Sequence, residues 1–154
     1  MTAIYSDHLP VVELLLSSVD LDLSVVNKFG QTALHYACFM DNPRCVSLLG
    51  KDSRMTSQII NQRHKYSESA LMEAVRHGAL SCVREMDKLV NVDWDTRNVH
   101  NEFLEDVARI TDLTTDRRPV LKFFRCQTRM PSVLQLPNVL TACCLANSAG
   151  KLIK

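Results

Sequence analysis

The stretch GQTALHYACFMDNPRCVSLL, from Gly30 to Leu49, reads as one complete helix-turn-helix unit, and it recurs along the chain. Laid over Ala3, ACFMDNPRCVSLL falls on AIYSDHLPVVELL with Ala, Asp, Val, Leu and Leu identical at 3/37, 7/41, 12/46, 14/48 and 15/49, an offset of 34 residues. Laid over Ala74 it falls on AVRHGALSCVREM, keeping the Ala at 37/74 and the Cys-Val pair at 45/82 and 46/83, an offset of 37. A fourth copy begins near Ala108, 34 residues further on. Self-similarity at such a period is the mark of a stacked repeat array, in which each unit buries its apolar face against its neighbours.

The residue pattern inside each copy predicts two short helices. Leu34, Ala37 and Cys38 are spaced i, i+3, i+4, as are Leu71, Ala74 and Val75, which sets them on one face of a first helix. Val12, Leu15 and Leu16, then Val46 and Leu49, then Val83 and Met86, form the matching stripe of a second. Thr32 and Ser69 stand at expected N-caps, where a side-chain oxygen accepts an orphan backbone N–H. Gly30 precedes Thr32 at a tight turn that suits a residue without Cβ. Pro10 and Pro43 stand at the start of second helices, where a missing donor is tolerated. Small Ala37 and Ala74 permit close helix approach, and a bulky replacement there should overpack the stack.

TALHYA at 32–37 matches the T-P-L-H-x-A core of ankyrin repeats in all but the Pro. SALMEA at 69–74 keeps the pattern in weaker form, and FLEDVA at 103–108 is its counterpart in the fourth copy. Segments ending at Leu23, Ile60 and Trp94 resemble the strand-like approach to each unit, with INQ at 60–62 and VDWDTRN at 92–98 where ankyrin families carry a valine-asparagine pair. The resemblance implies an all-α solenoid with short β-hairpin-like loops over residues 1–124. Its units are roughly 1–22, 23–59, 60–93 and 94–124, followed by a non-repeat tail at 125–154 that is expected as one short helix or disorder.

Both ends of the array depart from the pattern. Ala3 matches the sixth residue of TALHYA, so the first unit lacks most of its first helix, and Val11, Val12, Leu14, Leu15 and Leu16 crowd a second helix without its hairpin partner. This is expected of a piece of a longer array or of an incomplete product. In the fourth unit, ITDLTTDRRPVLKFF places Pro119 about four residues late, an expected insertion in the turn between helices. Leu121, Phe123 and Phe124 then supply its second helix. From Leu136 to Ala146 an apolar stretch broken at Pro137 marks the tail's one candidate helix.

At 154 residues, 46% apolar and 23% charged, the composition is that of a globular chain, and a formal net charge of +1 gives no global pull toward nucleic acid or anionic membrane. The N-terminus has no basic segment followed by an apolar one, and no apolar run approaches a membrane span. Cytoplasm or nucleus is therefore the expected location. Of six cysteines, Cys38, Cys45 and Cys82 fall on packing positions, and no C-x-x-C spacing occurs. They are expected as reduced structural thiols. Cys126, Cys143 and Cys144 lie outside the repeats, and the adjacent pair lacks the polybasic flank that would favour lipidation.

No catalytic or metal constellation is expected, and no cofactor. His8, His35, His64, His77 and His100 are spread along the units without a matching order of Asp and Ser or Cys. His35 is the repeat's own histidine, expected to tie neighbouring turns by a hydrogen bond. With Cys38 it offers two metal ligands where a closed zinc site needs four. Partner binding is the leading expectation, since ankyrin partners usually meet the loop tips and the exposed face of the first helices.

Those positions hold Lys28, Phe29, Gln31, Phe39 and Met40 in the second unit, Arg63, Lys65, Tyr66, Glu68, Arg76 and His77 in the third, and Arg97, Val99, His100 and Glu102 in the fourth. Six cationic or partly cationic side chains face two carboxylates, so a basic, aromatic-tipped concave surface and an acidic protein partner are expected, with no nucleic acid and no membrane. The chain is expected as a monomer or as part of a longer array. Three other readings stay open: a targeting or regulatory segment of a larger enzyme or signalling protein, a nucleic-acid binder using the basic groove, and a truncated product without independent function.

Overall fold

The structure, a computed structural model, describes residues 1–115, with side chains through Ile110. All belong to the first of the two units into which the chain divides, Met1–Phe123. The expected second helix of the fourth unit, the tail and Cys126, Cys143 and Cys144 lie outside these residues.

Every regular element among the described residues is a helix: α1 (Thr2–Tyr5), α2 (Leu9–Leu16), α3 (Ala33–Phe39), α4 (Pro43–Lys51), α5 (Ser57–Ile60), α6 (Ala70–Arg76), α7 (Leu80–Asp87) and α8 (Leu104–Thr115). The stack runs in two layers. First helices pack in the order α1, α3, α6, α8, and second helices in the order α2, α4, α7. The described residues form an all-α solenoid.

The backbone repeats more faithfully than the side chains do. Between the helices of a pair, Asp7, Asp41 and Gly78 each take a positive φ, and the next residue closes the turn onto the first helix. These closures are His8 N–H to Ala3 O, Asn42 N–H to Ala37 O and Ala79 N–H to Ala74 O, at 2.8 to 2.9 Å. Between pairs, the loops 27–31, 64–68 and 98–102 close by a bond from the first residue's N–H to the last residue's carbonyl, at 3.0, 3.1 and 3.2 Å. Isolated antiparallel bridges at Arg63/Ser69 and Arg97/Phe103 give the latter two loops a hairpin character. Their penultimate residues, Gly30, Ser67 and Asn101, again have positive φ. Gly30 is doubly constrained, because a Cβ there would stand 3.3 Å from the His64 Cα and the Lys65 nitrogen of the next loop.

The core follows the predicted stripes. Leu34, Ala37 and Cys38 of α3, Leu71, Ala74 and Val75 of α6, Val46 and Leu49 of α4, and Val83 and Met86 of α7 are all buried. Burying a side chain of the Val, Leu or Met class contributes about 1.5–3 kcal/mol, which is why such short helices hold in a stack and not alone. Ser69 caps α6 by accepting the Met72 N–H. Thr32 caps α3 reciprocally, its N–H donating to His35 Nδ1 at 3.2 Å while its Oγ1 lies 2.9 Å from the same atom. Pro43 opens α4, and Pro10 stands in the first turn of α2.

Three expectations are corrected. The approach to the third unit is not strand-like at Ile60, because Thr56 accepts the Ile59 N–H and starts the helical turn α5. On α2 only Val12 of the predicted stripe is buried, and Leu15 remains 45% exposed, since α1 is a single turn and cannot cover that face. In the fourth unit the first of the extra residues continue the helix: α8 has 12 residues where α3 and α6 have 7.

An arginine clasp joins the first two units. Arg54 donates from Nη1 to the carbonyls of Ser18 and Leu21 and from Nη2 to that of Leu16, gathering the last carbonyl of α2 and two from the loop that follows it. Asp52 holds the guanidinium in place, and those hydrogen bonds draw its own carboxyl down to about 2.

Candidate functional site

The loop tips are built alike and decorated differently. Asn27 Oδ1 accepts the N–H groups of Phe29 and Gln31, and Asn98 Oδ1 accepts those of His100 and Glu102, each at 2.9 to 3.1 Å. Both asparagines also donate from Nδ2 to the side chain four residues on, Gln31 and Glu102. In the middle loop the equivalent residue is His64, whose Nδ1 accepts the Tyr66 N–H at 3.0 Å. A backbone donor on Nδ1 leaves the proton of the neutral ring on Nε2. Adjacent loops are stitched by Lys65 N–H donating to the Phe29 carbonyl.

Of the expected partner-facing positions, all but Glu68 are unburied. Lys28, Phe29, Phe39, Met40, Arg63, Lys65, Tyr66, Arg76, Val99 and His100 are exposed, and Gln31, His77 and Arg97 are half-buried. Among the described residues, Lys28, Arg63, Lys65 and Arg97 pair with no carboxylate. Lys28 lies over the Phe29 ring, Arg97 stacks on Phe103 and reaches Asn101, and Arg63 donates to Thr96 Oγ1. Arg76 differs, since it forks onto both oxygens of Glu68. Phe39 is turned edge-on to His77, with centroids 4.7 Å apart.

Glu68 itself is buried, not displayed, and it belongs to a polar floor that the sequence reading missed. His64, Glu68 and Glu73, all buried, lie in a cleft of about 360 Å³ lined also by Gln31, Tyr66, Arg76, His77, Val99 and His100. His64 Nε2 is 3.5 Å from Glu73 Oε2 and 3.9 Å from Glu68 Oε2, while His77 Nε2 is 3.8 Å from Glu73 Oε1. A signal was available in the repeat itself. Register places Glu73 where the second unit has Tyr36 and the fourth Val107, and Arg76 where they have Phe39 and Ile110. Glu73 lies off the apolar stripe, so the helical period alone does not mark it as buried.

Beneath this floor His35 does what the resemblance implied. Its Nε2 faces the Glu68 carbonyl at 3.3 Å, linking the second unit to the middle loop. Burial is the largest influence on its imidazole and holds it down at about 4, with neighbouring His64 adding to the effect. Buried neutral, it is a structural tie and not an acid or base for a substrate. The thiols of Cys38, Cys45 and Cys82 are free and buried, and burial raises each above the usual thiol range, which makes them poor nucleophiles.

His64, Glu68 and Glu73 are also the set of described side chains close enough to share a cation, their ligand atoms lying within 4.8 Å of one another. Two features oppose a metal. Glu68 is already taken by Arg76, and a metal on His64 Nε2 would require a proton on Nδ1, pointing at the Tyr66 N–H that Nδ1 now accepts.

The sequence profile of ankyrin repeats in three copies matches residues 1–98. Among solved structures, the fold is similar to the ankyrin repeat domain of Bcl-3, a member of the IkappaB protein family, with a TM-score of 0.70 and 21% identity. That alignment covers 84% of this chain and 56% of that one, so the chain spans little more than half the length of the domain it resembles. At that identity the likeness carries the fold and nothing finer. No curated protein matches the sequence. Ankyrin repeats are generally protein-interaction modules, and no described helix is long and apolar enough to cross a membrane. The register of loops and helix pairs and the profile match over residues 1–98 agree, and the chain belongs to the ankyrin repeat family.

Proposed function

We propose that the chain is a non-catalytic interaction module whose loop tips and exposed first-helix faces receive an acidic segment of a protein partner. The observation that carries this reading is the row of tip cations, Lys28, Arg63, Lys65 and Arg97, none of them paired with a carboxylate among the described residues. Uncompensated cations on successive tips favour approach of an anionic surface and discriminate against a cationic one. Phe29 and Tyr66, 41% and 62% exposed, stand beside them as anchors of the kind that dominates interface energetics. Phe39, Met40, Val99 and His100 extend the same face. Three buried, free thiols suit a reducing compartment, the cytoplasm or nucleus.

The test is binding to a captured partner. Phe29→Ala and Tyr66→Ala are each expected to weaken it by about 2 kcal/mol or more, and raising salt from low to physiological levels should weaken it further. Unchanged affinity in both variants refutes the assignment.

A further inference from the structure

We infer that the cleft between the second and third loop tips is a lysine pocket, in which the Glu73 carboxylate receives the primary ammonium group of a partner side chain. The inference rests on the proposal that this face binds a protein, and adds the chemistry of one anchor residue to it.

Glu73 is the centre of the argument. It is only 5% exposed, it lines the cleft, and no hydrogen bond reaches either of its oxygens from any described residue. The nearest groups are two imidazoles, His64 at 3.5 Å and His77 at 3.8 Å, and an imidazole compensates a carboxylate's charge only when protonated. A buried carboxylate left in that state is costly, so the site is short of one cation. One neighbouring charge is shared: Arg76 forks onto Glu68 and its charge also reaches Glu73, so among the described residues one guanidinium stands against these two carboxylates. These two carboxylates lie at the bottom of a cleft whose rim is basic.

The geometry selects the kind of cation. Glu73 Oε2 already faces His64 Nε2, whose proton is fixed there by the Tyr66 N–H on Nδ1, which leaves Oε1, 3.8 Å from His77 Nε2, as the less closely approached acceptor. A guanidinium fork needs both oxygens of a carboxylate, whereas an ammonium is a point charge that needs one. Metal coordination through His64 is opposed by that same Tyr66 bond. The walls suit an aliphatic stem, with Tyr66 and Val99 on the exposed side of the cleft.

A suitable probe is N-acetyl-lysine methylamide added to the full chain and followed by amide NMR, with the arginine and glutamate analogues and zinc titrated in parallel. Saturable shifts centred on Tyr66, Glu73 and His77 are expected with the lysine probe. The arginine analogue should bind at least threefold more weakly, the glutamate analogue should produce no saturable shift, and zinc should not occupy the cleft. Glu73→Gln preserves shape and should lower lysine affinity at least tenfold. Absence of saturable shifts at those amides, tighter arginine binding, or equal affinity in Glu73→Gln overturns the inference. One-to-one zinc binding that excludes the lysine probe and is lost in His64→Gln overturns it in favour of a metal. The probe does not reach Phe29 or Lys28, so its failure leaves the acidic-partner reading standing, and failure of that reading leaves the pocket's result intact.

Discussion

The second and third units share one backbone and oppose each other in chemistry. Around α3 the inner face carries Tyr36 and Phe39 over a loop held by Asn27 and Gln31, and around α6 the same positions carry Glu73 and Arg76 over a loop held by His64 and Glu68. The helix caps differ as well, a Thr32–His35 exchange in one and Ser69 accepting from Met72 in the other. What stays constant is the small set that fixes the stack: Leu34 with Leu71, Ala37 with Ala74, and the positive-φ residues at the two turns. A solenoid constrains few positions per unit, so neighbouring units can differ in charge at the same surface without differing in fold.

The broadest way to break that comparison is to attack the shared set. Leu34 and Leu71 are fully buried on equivalent faces. Leu34→Ala and Leu71→Ala should each lower unfolding free energy by about 2–5 kcal/mol in urea denaturation. Losses within about 1 kcal/mol of each other would confirm that the polar inner face of the third unit leaves its packing intact. A loss under about 1 kcal/mol for Leu71 alone would show that Glu73 and Arg76 have loosened α6.

A smaller effect separates the units by pH. His35 is held at about 4 in the folded chain against 6.5 as the ordinary value, so between those limits the unfolded chain binds a proton that the folded chain does not. Its stabilisation is complete above pH 6.5 and is lost as pH falls toward 4, by up to about 3 kcal/mol. The third unit has Met72 at this position. Copying it, His35→Met, should flatten the stability profile between pH 7 and 4.5 relative to the parent chain, as read by denaturation at both values. Equal slopes would mean that His35 is not buried neutral.

The sequence made most of this framework legible and hid the rest for identifiable reasons. Register, caps and stripes are local or follow the period, so Gly30, Thr32, Ser69, Ala37 and Ala74 could be placed from the repeat alone. Arg54 could not, because its acceptors lie 33 to 38 residues away, at the end of α2 and in the loop after it, and nothing in its own segment marks it as a clasp. The turn α5 was missed because the family pattern overrode a local signal, Thr56 capping Ile59. The six cationic or partly cationic positions stand unburied, while Glu68, expected as a displayed carboxylate opposite them, is buried. Its burial follows from Arg76 folding over it, a contact between residues eight apart that no helical or strand period describes. Glu73 stood out only against Tyr36 and Val107, which is a comparison between units and not a property of one.

The least disruptive way to sharpen the comparison is at the tips, where glycine and serine occupy the same backbone conformation. Gly30 has φ +79°, and Ser67, its counterpart, has φ +55°. An L side chain in that region costs about 1–2 kcal/mol, and at Gly30 a Cβ also meets the next loop at 3.3 Å. Gly30→Ala should therefore destabilise by at least about 1 kcal/mol. In the third unit Ser67 already bears that cost, so Ser67→Gly relieves it while enlarging the unfolded ensemble by about 0.4–1 kcal/mol. The two terms nearly cancel, and the expected net change in urea denaturation is a gain of a few tenths. A loss as large as that of Gly30→Ala would mean that the serine side chain stabilises its tip, and that the loops are alike in backbone but not in what holds it.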